Sequence, residues 1–113
     1  NDNGWKPISA SAFNVQSTRT VKDNIRDITL ERAERILDLN VVTYDYKEGI
    51  VDEAERYDRT GLIAEDIVDI IPEAVFMDED GNASSVDYSR FVPYLIRMVQ
   101  ILQDEIDELR EGR

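Results

Sequence analysis

The sequence predicts an α+β protein, in which a small mixed head of short helices and strands precedes one long C-terminal helix. Two observations support this prediction. Between residues 17 and 88, short β-branched stretches alternate with short stretches of helical periodicity. After residue 88, apolar residues recur every three and four positions as far as Leu109. The second pattern is typical of a coiled coil.

Composition limits the classes of function. The 113 residues suffice for one domain with a modest core, and no apolar run approaches the ~18 residues of a membrane span. The chain has 25 acidic and 13 basic residues, a net charge of −12, and no histidine or cysteine. This charge repels phosphate backbones and acidic leaflets, so we expect no nucleic-acid and no membrane partner. We also expect no metal and no cofactor, and catalysis would need carboxylates, hydroxyls, Tyr or Lys.

The first part of the chain divides into an arm and the start of the head. Residues 1–16 are polar with only weak alternation, which indicates an extended arm or the end of a preceding unit. The periodic stretch that follows predicts a helix with Thr29 as its N-cap and Asn40 at its end. Residues 41–47, "VVTYDYK", are β-branched and aromatic, and they predict a strand.

The second part of the head contains three further predicted elements: a strand at 60–64, a helix at 65–71 and a hairpin at 73–88. The helix should turn Ile67, Ile70 and Ile71 inwards and end before Pro72, which cannot continue it. The hairpin has Asp80-Gly81 at its centre, a strong turn signal.

The C-terminal helix, residues 89–113, carries a heptad pattern with Ser89 or Asp87 as its cap. Six residues form the stripe that we name the seam: Val92, Val99 and Ile106 at position a, with Leu95, Leu102 and Leu109 at position d. β-branched a residues with leucine at d favour two helices, whereas apolar e and g neighbours in the first half favour three. The residues alone leave this number open. A helix folded back on its own domain is the alternative, and the charged run "DEIDELREGR" argues against it.

Four stretches carry a family resemblance: "STRTVKDNI" (17–25), "ILDLNVVTYDYK" (36–47), "TGLIAEDIVDIIPEAV" (60–75) and "DGNASSVDYSRFVPYLI" (80–96). In this order they resemble the C-terminal intramolecular chaperone domain of phage endosialidases, tailspikes and tail fibres, which also forms a self-cleaving peptidase family. A related domain occurs in a cellular membrane-bound transcription factor.

The resemblance implies an assembly role. It implies a homotrimer with a parallel coiled coil, a head at residues 17–88, and an upstream β-rich fibre passenger whose end is residues 1–16. The trimer would align three passengers in the host cytoplasm during assembly, and it would remain in the virion tail if retained. A permanent, non-cleaving trimerisation cap is the alternative. A hydrolase that uses the many carboxylates is disfavoured, because they form no convergent pair.

The resemblance also implies that Ser17 and Lys22 are a catalytic pair that cuts the chain beside Ser17. The sequence departs from the family pattern at Thr18, where Asp or Asn is usual, and at Glu65, where Gln is usual. The family's usual cut follows the serine. Attack of Ser17 on the Gln16 carbonyl passes through an easy five-membered ring, whereas a cut at Ser17–Thr18 needs a neighbouring subunit's hydroxyl or an activated water.

The chemistry of such a pair sets two further requirements. A lysine acts as a base only when neutral, and because its ordinary pKa is about 10.4, burial or nearby positive charge must lower it. Arg19 and Arg26 are close in sequence, and closure of three subunits would provide burial. An oxyanion donor is also needed, and Asn24 is a candidate by proximity.

Overall fold

The computed structural model describes residues 16–112, so the predicted arm lies outside the described residues except for Gln16. The chain is mixed helix and strand, which confirms the α+β prediction. Its helices are α1 (Leu30–Ala33), α2 (Ala64–Ile67) and α3 (Val92–Glu111), and its strands are β1 (Val42–Tyr44), β2 (Arg59–Gly61), β3 (Val75–Met77) and β4 (Ala83–Val86).

The strands form two small antiparallel sheets. In the first, β1 pairs with β2 and Val42 lies opposite Gly61. In the second, β3 pairs with β4 as the predicted hairpin. Gly81 adopts a φ of +84° in the connecting turn, a conformation that glycine reaches without a steric penalty. The Asp80-Gly81 signal therefore located this turn correctly.

The helix predicted to end at Asn40 is shorter than expected. Thr29 is its N-cap, as predicted, and its hydroxyl accepts a hydrogen bond from the Arg32 amide at 3.2 Å. After Ala33 the chain tightens into a 3-10 helix, Glu34–Asp38. The change in winding moves later side chains off the helical face, so that Leu37 is exposed although its spacing placed it on the apolar side.

The core consists of two neighbouring clusters beneath α3. The larger cluster contains Ile67, Ile71, Ala74, Phe91 and Tyr94, and the smaller contains Ala33, Met98 and Ile101. Ile28 and Ile36 pack against both clusters and join them.

The helix predicted at 65–71 is shorter than expected, because α2 ends at Ile67 and the chain continues as a turn. The predicted inward positions are nevertheless correct, since Ile67 and Ile71 are almost completely buried and Ile70 packs beside them.

The long helix begins where sequence signals predicted a start. The Asp87 carboxylate accepts from the Ser89 amide at 3.1 Å and caps a 3-10 turn, Tyr88–Phe91, which leads directly into α3. Pro93 lies in the first turn of α3, where an amide hydrogen has no helical partner.

Candidate functional site

Residues 17–22 form a compact local turn at the start of the head. The centre is a 3-10 helix, Arg19–Val21, in which the Val21 amide donates to the Thr18 carbonyl at 3.1 Å. The Lys22 amide donates to the Arg19 carbonyl at 3.4 Å, and the Thr18 and Thr20 hydroxyls are 2.6 Å apart. These bonds curl the backbone, so its two ends approach each other.

The turn brings Ser17 and Lys22 into direct contact. The Lys22 ammonium donates to the Ser17 hydroxyl oxygen, with 2.5 Å between Nζ and Oγ. Sequence spacing alone does not guarantee such a contact, since an extended chain would separate residues five apart by roughly 16–18 Å. The geometry therefore provides a path for a proton between a hydroxyl and an amine.

The surroundings of this pair are open to solvent in the single chain. Gln16, Ser17, Thr18 and Lys22 are all exposed, so both candidate scissile bonds are accessible. The Arg26 guanidinium donates to the Asn24 carbonyl at 2.7 Å. Arg26 is therefore occupied in bracing the backbone after the pair.

Asn24 adopts an unusual backbone conformation, with a φ of +55°. It lines an open cleft together with Lys22, and the lining of this cleft also includes Arg90, Pro93 and Tyr94 from the start of α3 and the turn before it. The segment that follows the pair thus lies against the beginning of the long helix.

A polar network lies in the same cleft and ties three elements of the head together. The Tyr94 hydroxyl donates a short hydrogen bond to the Glu73 carboxylate, and Arg32 donates to both, at 3.3 Å to the Tyr94 oxygen and 3.2 Å to Glu73. Burial raises the pKa of the Tyr94 hydroxyl, and its bond to Glu73 raises this pKa further. Burial also acts to raise the pKa of Glu73, but the hydrogen bonds from Tyr94 and Arg32 outweigh it, so this pKa lies below its ordinary value.

Sequence reasoning missed this network and the role of Tyr94. Tyr94 is 4% exposed and belongs to a buried stripe that faces the head, formed by Phe91, Tyr94, Met98 and Ile101. Their spacing of three, four and three residues parallels that of the seam. The sequence therefore contains the pattern of this buried stripe, but the longer heptad pattern of the seam has the same spacing, so spacing does not distinguish the two.

The seam occupies the other apolar side of α3. All six seam residues are exposed in the single chain, and Val92, Leu95, Val99, Leu102 and Ile106 each show between 43% and 66% of their surface to solvent. The first half of α3 therefore carries two apolar stripes. One holds the head, and the other lies open along the length of the helix.

Residues 16–112 offer neither a clustered metal site nor a helical membrane span. In this range no three acidic side chains are grouped in a way that would hold a metal ion. In the same range no helix combines the length and apolar character of a membrane span.

Comparison with known proteins decides the family. A family model described as chaperone of endosialidase matches residues 17–76, which include the Ser17–Lys22 pair and most of the head. The chain belongs to this family. The resemblance noted in four sequence stretches is therefore confirmed.

Relatives of this endosialidase-chaperone chain include phage and animal proteins. The "Long tail fiber protein Gp37" of Enterobacteria phage M1 is 31% identical over 98 residues, which cover 85% of this chain and 39% of that protein. Its namesake in Enterobacteria phage T2 is 30% identical over 110 residues, 93% of this chain and 8% of that protein. "Myelin regulatory factor homolog 1" of Caenorhabditis elegans is 35% identical over 92 residues, 71% of this chain and 10% of that protein. The chain thus spans less than half of each relative.

Proposed function

We propose that this chain is the C-terminal chaperone domain of a phage tail fibre, that it trimerises through the seam, and that it releases itself by cutting beside Ser17. Membership of the chaperone family and similarity to two tail fibre proteins support the assembly role. The 2.5 Å contact between Lys22 Nζ and Ser17 Oγ is the observation that carries the self-cleavage.

The exposed seam supports trimerisation. Burial of a leucine, isoleucine or valine side chain contributes roughly 1.5–3 kcal/mol, and the seam has six such residues per chain that the head does not cover. The head-facing stripe secures the head on the same helix, so three parallel helices would hold three heads in register. Family resemblance favours three copies over two.

A trimer of this kind would help a fibre to fold. Interwoven β-fibres have many contacts between distant residues and expose unpaired strand edges while folding, so they form slowly and aggregate readily. Joining three chain ends replaces an encounter of three molecules by a local one at high effective concentration. Once the fibre is closed, removal of the domain eliminates one route of unfolding and favours kinetic stability.

The cleavage chemistry follows from the pair. Neutral Lys22 accepts the Ser17 hydroxyl proton as Ser17 Oγ attacks the Gln16 carbonyl carbon, which forms a tetrahedral intermediate. The C–N bond then breaks, the Ser17 nitrogen takes a proton, and an ester joins Gln16 to Ser17 Oγ. Water hydrolyses this ester to a Gln16 carboxylate and restores the hydroxyl.

In the other option, Ser17 Oγ of a neighbouring copy or an activated water attacks the Ser17 carbonyl carbon. The Ser17–Thr18 C–N bond then breaks, the Thr18 nitrogen takes a proton, and the new fragment begins at Thr18. Water hydrolyses the ester that the hydroxyl route leaves between the two copies.

Assembly would control the timing of this reaction. Lys22 is exposed to solvent in the single chain, and a lysine acts as a base more readily once water is excluded from it. Closure of three subunits would supply that exclusion. Cutting would then follow correct trimerisation, and a passenger would not lose its clamp early.

Intact mass spectrometry of the full chain tests the proposal. Wild-type protein should yield a fragment that begins at Ser17 or Thr18, and the first residue identifies the bond that is cut. Ser17→Ala and Lys22→Ala should both stay whole. A wild-type chain that trimerises yet stays whole would replace self-cleavage by the alternative, a permanent trimerisation cap.

A further inference from the structure

The conformation of Asn24 distinguishes it from nearly all residues around it. Among residues 16–112, only Asn24 and Asp58 are non-glycine residues with a positive φ, and both have a φ of +55°. This region is costly for most side chains because Cβ approaches the following carbonyl oxygen, and Asn and Asp tolerate it best. A residue kept there usually serves a constraint imposed by its surroundings.

The location of Asn24 indicates that constraint. Lys22 itself is extended, with φ −124° and ψ 138°. The first firm anchor after it is Ile28, which packs against both core clusters. The left-handed backbone of Asn24 therefore changes the direction of the chain between the turn at residues 17–22 and the core. Arg26 braces this change of direction through its 2.7 Å bond to the Asn24 carbonyl.

In the described part of the chain, the side chain of Asn24 makes no hydrogen bond comparable to the one that its backbone carbonyl accepts. Within residues 16–112 its carbonyl, and not its amide group, takes part in the hydrogen bond that defines the turn. Asn24 and Lys22 line the same cleft as Arg90 and Pro93. A different φ at Asn24 would swing residues 17–22 as a unit relative to that cleft, because their own bonds are local.

We infer that Asn24 is a positioning residue whose left-handed backbone, and not its amide group, directs the Ser17–Lys22 pair towards the start of α3. This inference rests on the proposed self-cleavage. It assigns Asn24 a role other than the oxyanion donor expected from proximity. The inference distinguishes two properties of Asn24, its tolerance of a left-handed backbone and its amide group. Asn24→Gly removes only the amide group, whereas Asn24→Ala removes both.

The test compares Asn24→Gly with Asn24→Ala in the full chain, by the rate of self-cleavage in intact mass spectra. Glycine retains the backbone freedom without the amide, so its rate should stay within about twofold of wild type. Alanine removes both, and the left-handed penalty should slow cleavage about tenfold. Equal slowing by both variants would overturn the inference in favour of the amide, and wild-type rates in both would overturn it in favour of no role.

Asp58 provides a matched control, because it has the same φ. It lies directly before β2, which forms a sheet with β1. Asp58→Ala introduces comparable strain and should leave the cleavage rate within about twofold of Asp58→Gly. Slowing by Asp58→Ala equal to that by Asn24→Ala would mean that general strain causes the loss, and would overturn the inference.

A crystallographic comparison decides the positional claim even if the wild-type chain does not cut itself. In chains carrying Ser17→Ala, the Asn24→Gly variant should keep Lys22 in the cleft that Arg90 and Pro93 also line, and the Asn24→Ala variant should move Lys22 out of it. An uncut wild-type chain with this movement would refute self-cleavage and leave the inference standing. Lys22 in its original place in the Asn24→Ala variant would overturn the inference regardless of cleavage.

Discussion

Lys22 Nζ lies 2.5 Å from Ser17 Oγ, and the two residues are joined by a single turn of 3-10 helix. The contact forms entirely within residues 17–22, so in the proposed mechanism each chain would bring its own nucleophile and base to the assembly. The single chain does not, however, exclude water from the pair. This division explains how assembly could govern a reaction whose participants are neighbours in sequence.

Lys22→Arg separates the charge of Lys22 from its proposed role as a base. Arginine keeps the positive charge but does not lose its proton in proteins, so self-cleavage should fall by a factor of about 10²–10⁴. Intact mass over time measures the loss. Lys47→Arg, an exposed substitution in the loop after β1, is the matched control and should cut at the wild-type rate. Cleavage by Lys22→Arg at that same rate would exclude Lys22 as the base.

Leu102→Asp tests the link between the seam and cleavage. In the proposed trimer it would place three carboxylates at one buried level, which should cost roughly 5–9 kcal/mol per trimer from lost leucine burial alone. The variant should be monomeric by light scattering and should stay uncut. Gln100→Asp adds the same charge to an exposed position of α3 and should remain trimeric and active. Efficient cutting by monomeric Leu102→Asp would contradict control by assembly.

Tyr94→Phe tests the network that joins α3 to the head. The change removes one buried hydroxyl that bonds Glu73 and Arg32, and should lower the free energy of unfolding by about 1–2 kcal/mol. Urea denaturation at a fixed protein concentration measures it. Tyr57→Phe removes an exposed hydroxyl that also bonds a glutamate, and should change stability by less than about 0.5 kcal/mol. Equal effects would show that the network does not stabilise the head.

The lowered pKa of Glu73 predicts a loss of stability in acid. The unfolded carboxyl has the ordinary pKa of 4.5 and the folded one a lower pKa, so the unfolded state binds more protons in between. This contribution is complete above the ordinary pKa and disappears as the pH falls through the folded pKa. The stability difference between wild type and Glu73→Gln should therefore shrink below pH 4.5. Glu79→Gln in the β3–β4 loop is the control. A stability difference between wild type and Glu73→Gln that stays constant from neutral to strongly acidic pH would contradict the lowered pKa of Glu73.

Much of the fold could be predicted because local signals and tertiary structure agree. Two caps and one turn were predicted from local sequence: Thr29 caps α1, Asp87 caps the 3-10 turn before α3, and Asp80-Gly81 forms the turn between β3 and β4. Each depends on residues close to it in sequence. The 3-10 winding after Ala33 could not be predicted, because it depends on how that segment packs beneath α3.

The candidate site was predictable only in part. Family resemblance identified Ser17 and Lys22, and the structure adds their contact. The left-handed backbone of Asn24 could not be predicted, because it is a property of conformation. The bonds among Arg32, Glu73 and Tyr94 could not be predicted either, because they join residues that are far apart in sequence. The head-facing stripe on α3 was visible as a pattern, but its spacing is the same as that of the seam beside it. Spacing alone does not decide which stripe holds the head.

The mass of the Ser17→Ala chain in solution tests the central claim most directly, because this variant should assemble but not cut itself. Light scattering at micromolar concentration should give three times the 13.0 kDa mass of one chain. A particle of 13.0 kDa that persists at high concentration would contradict the trimer, and with it both the folding role and the control of cleavage by assembly.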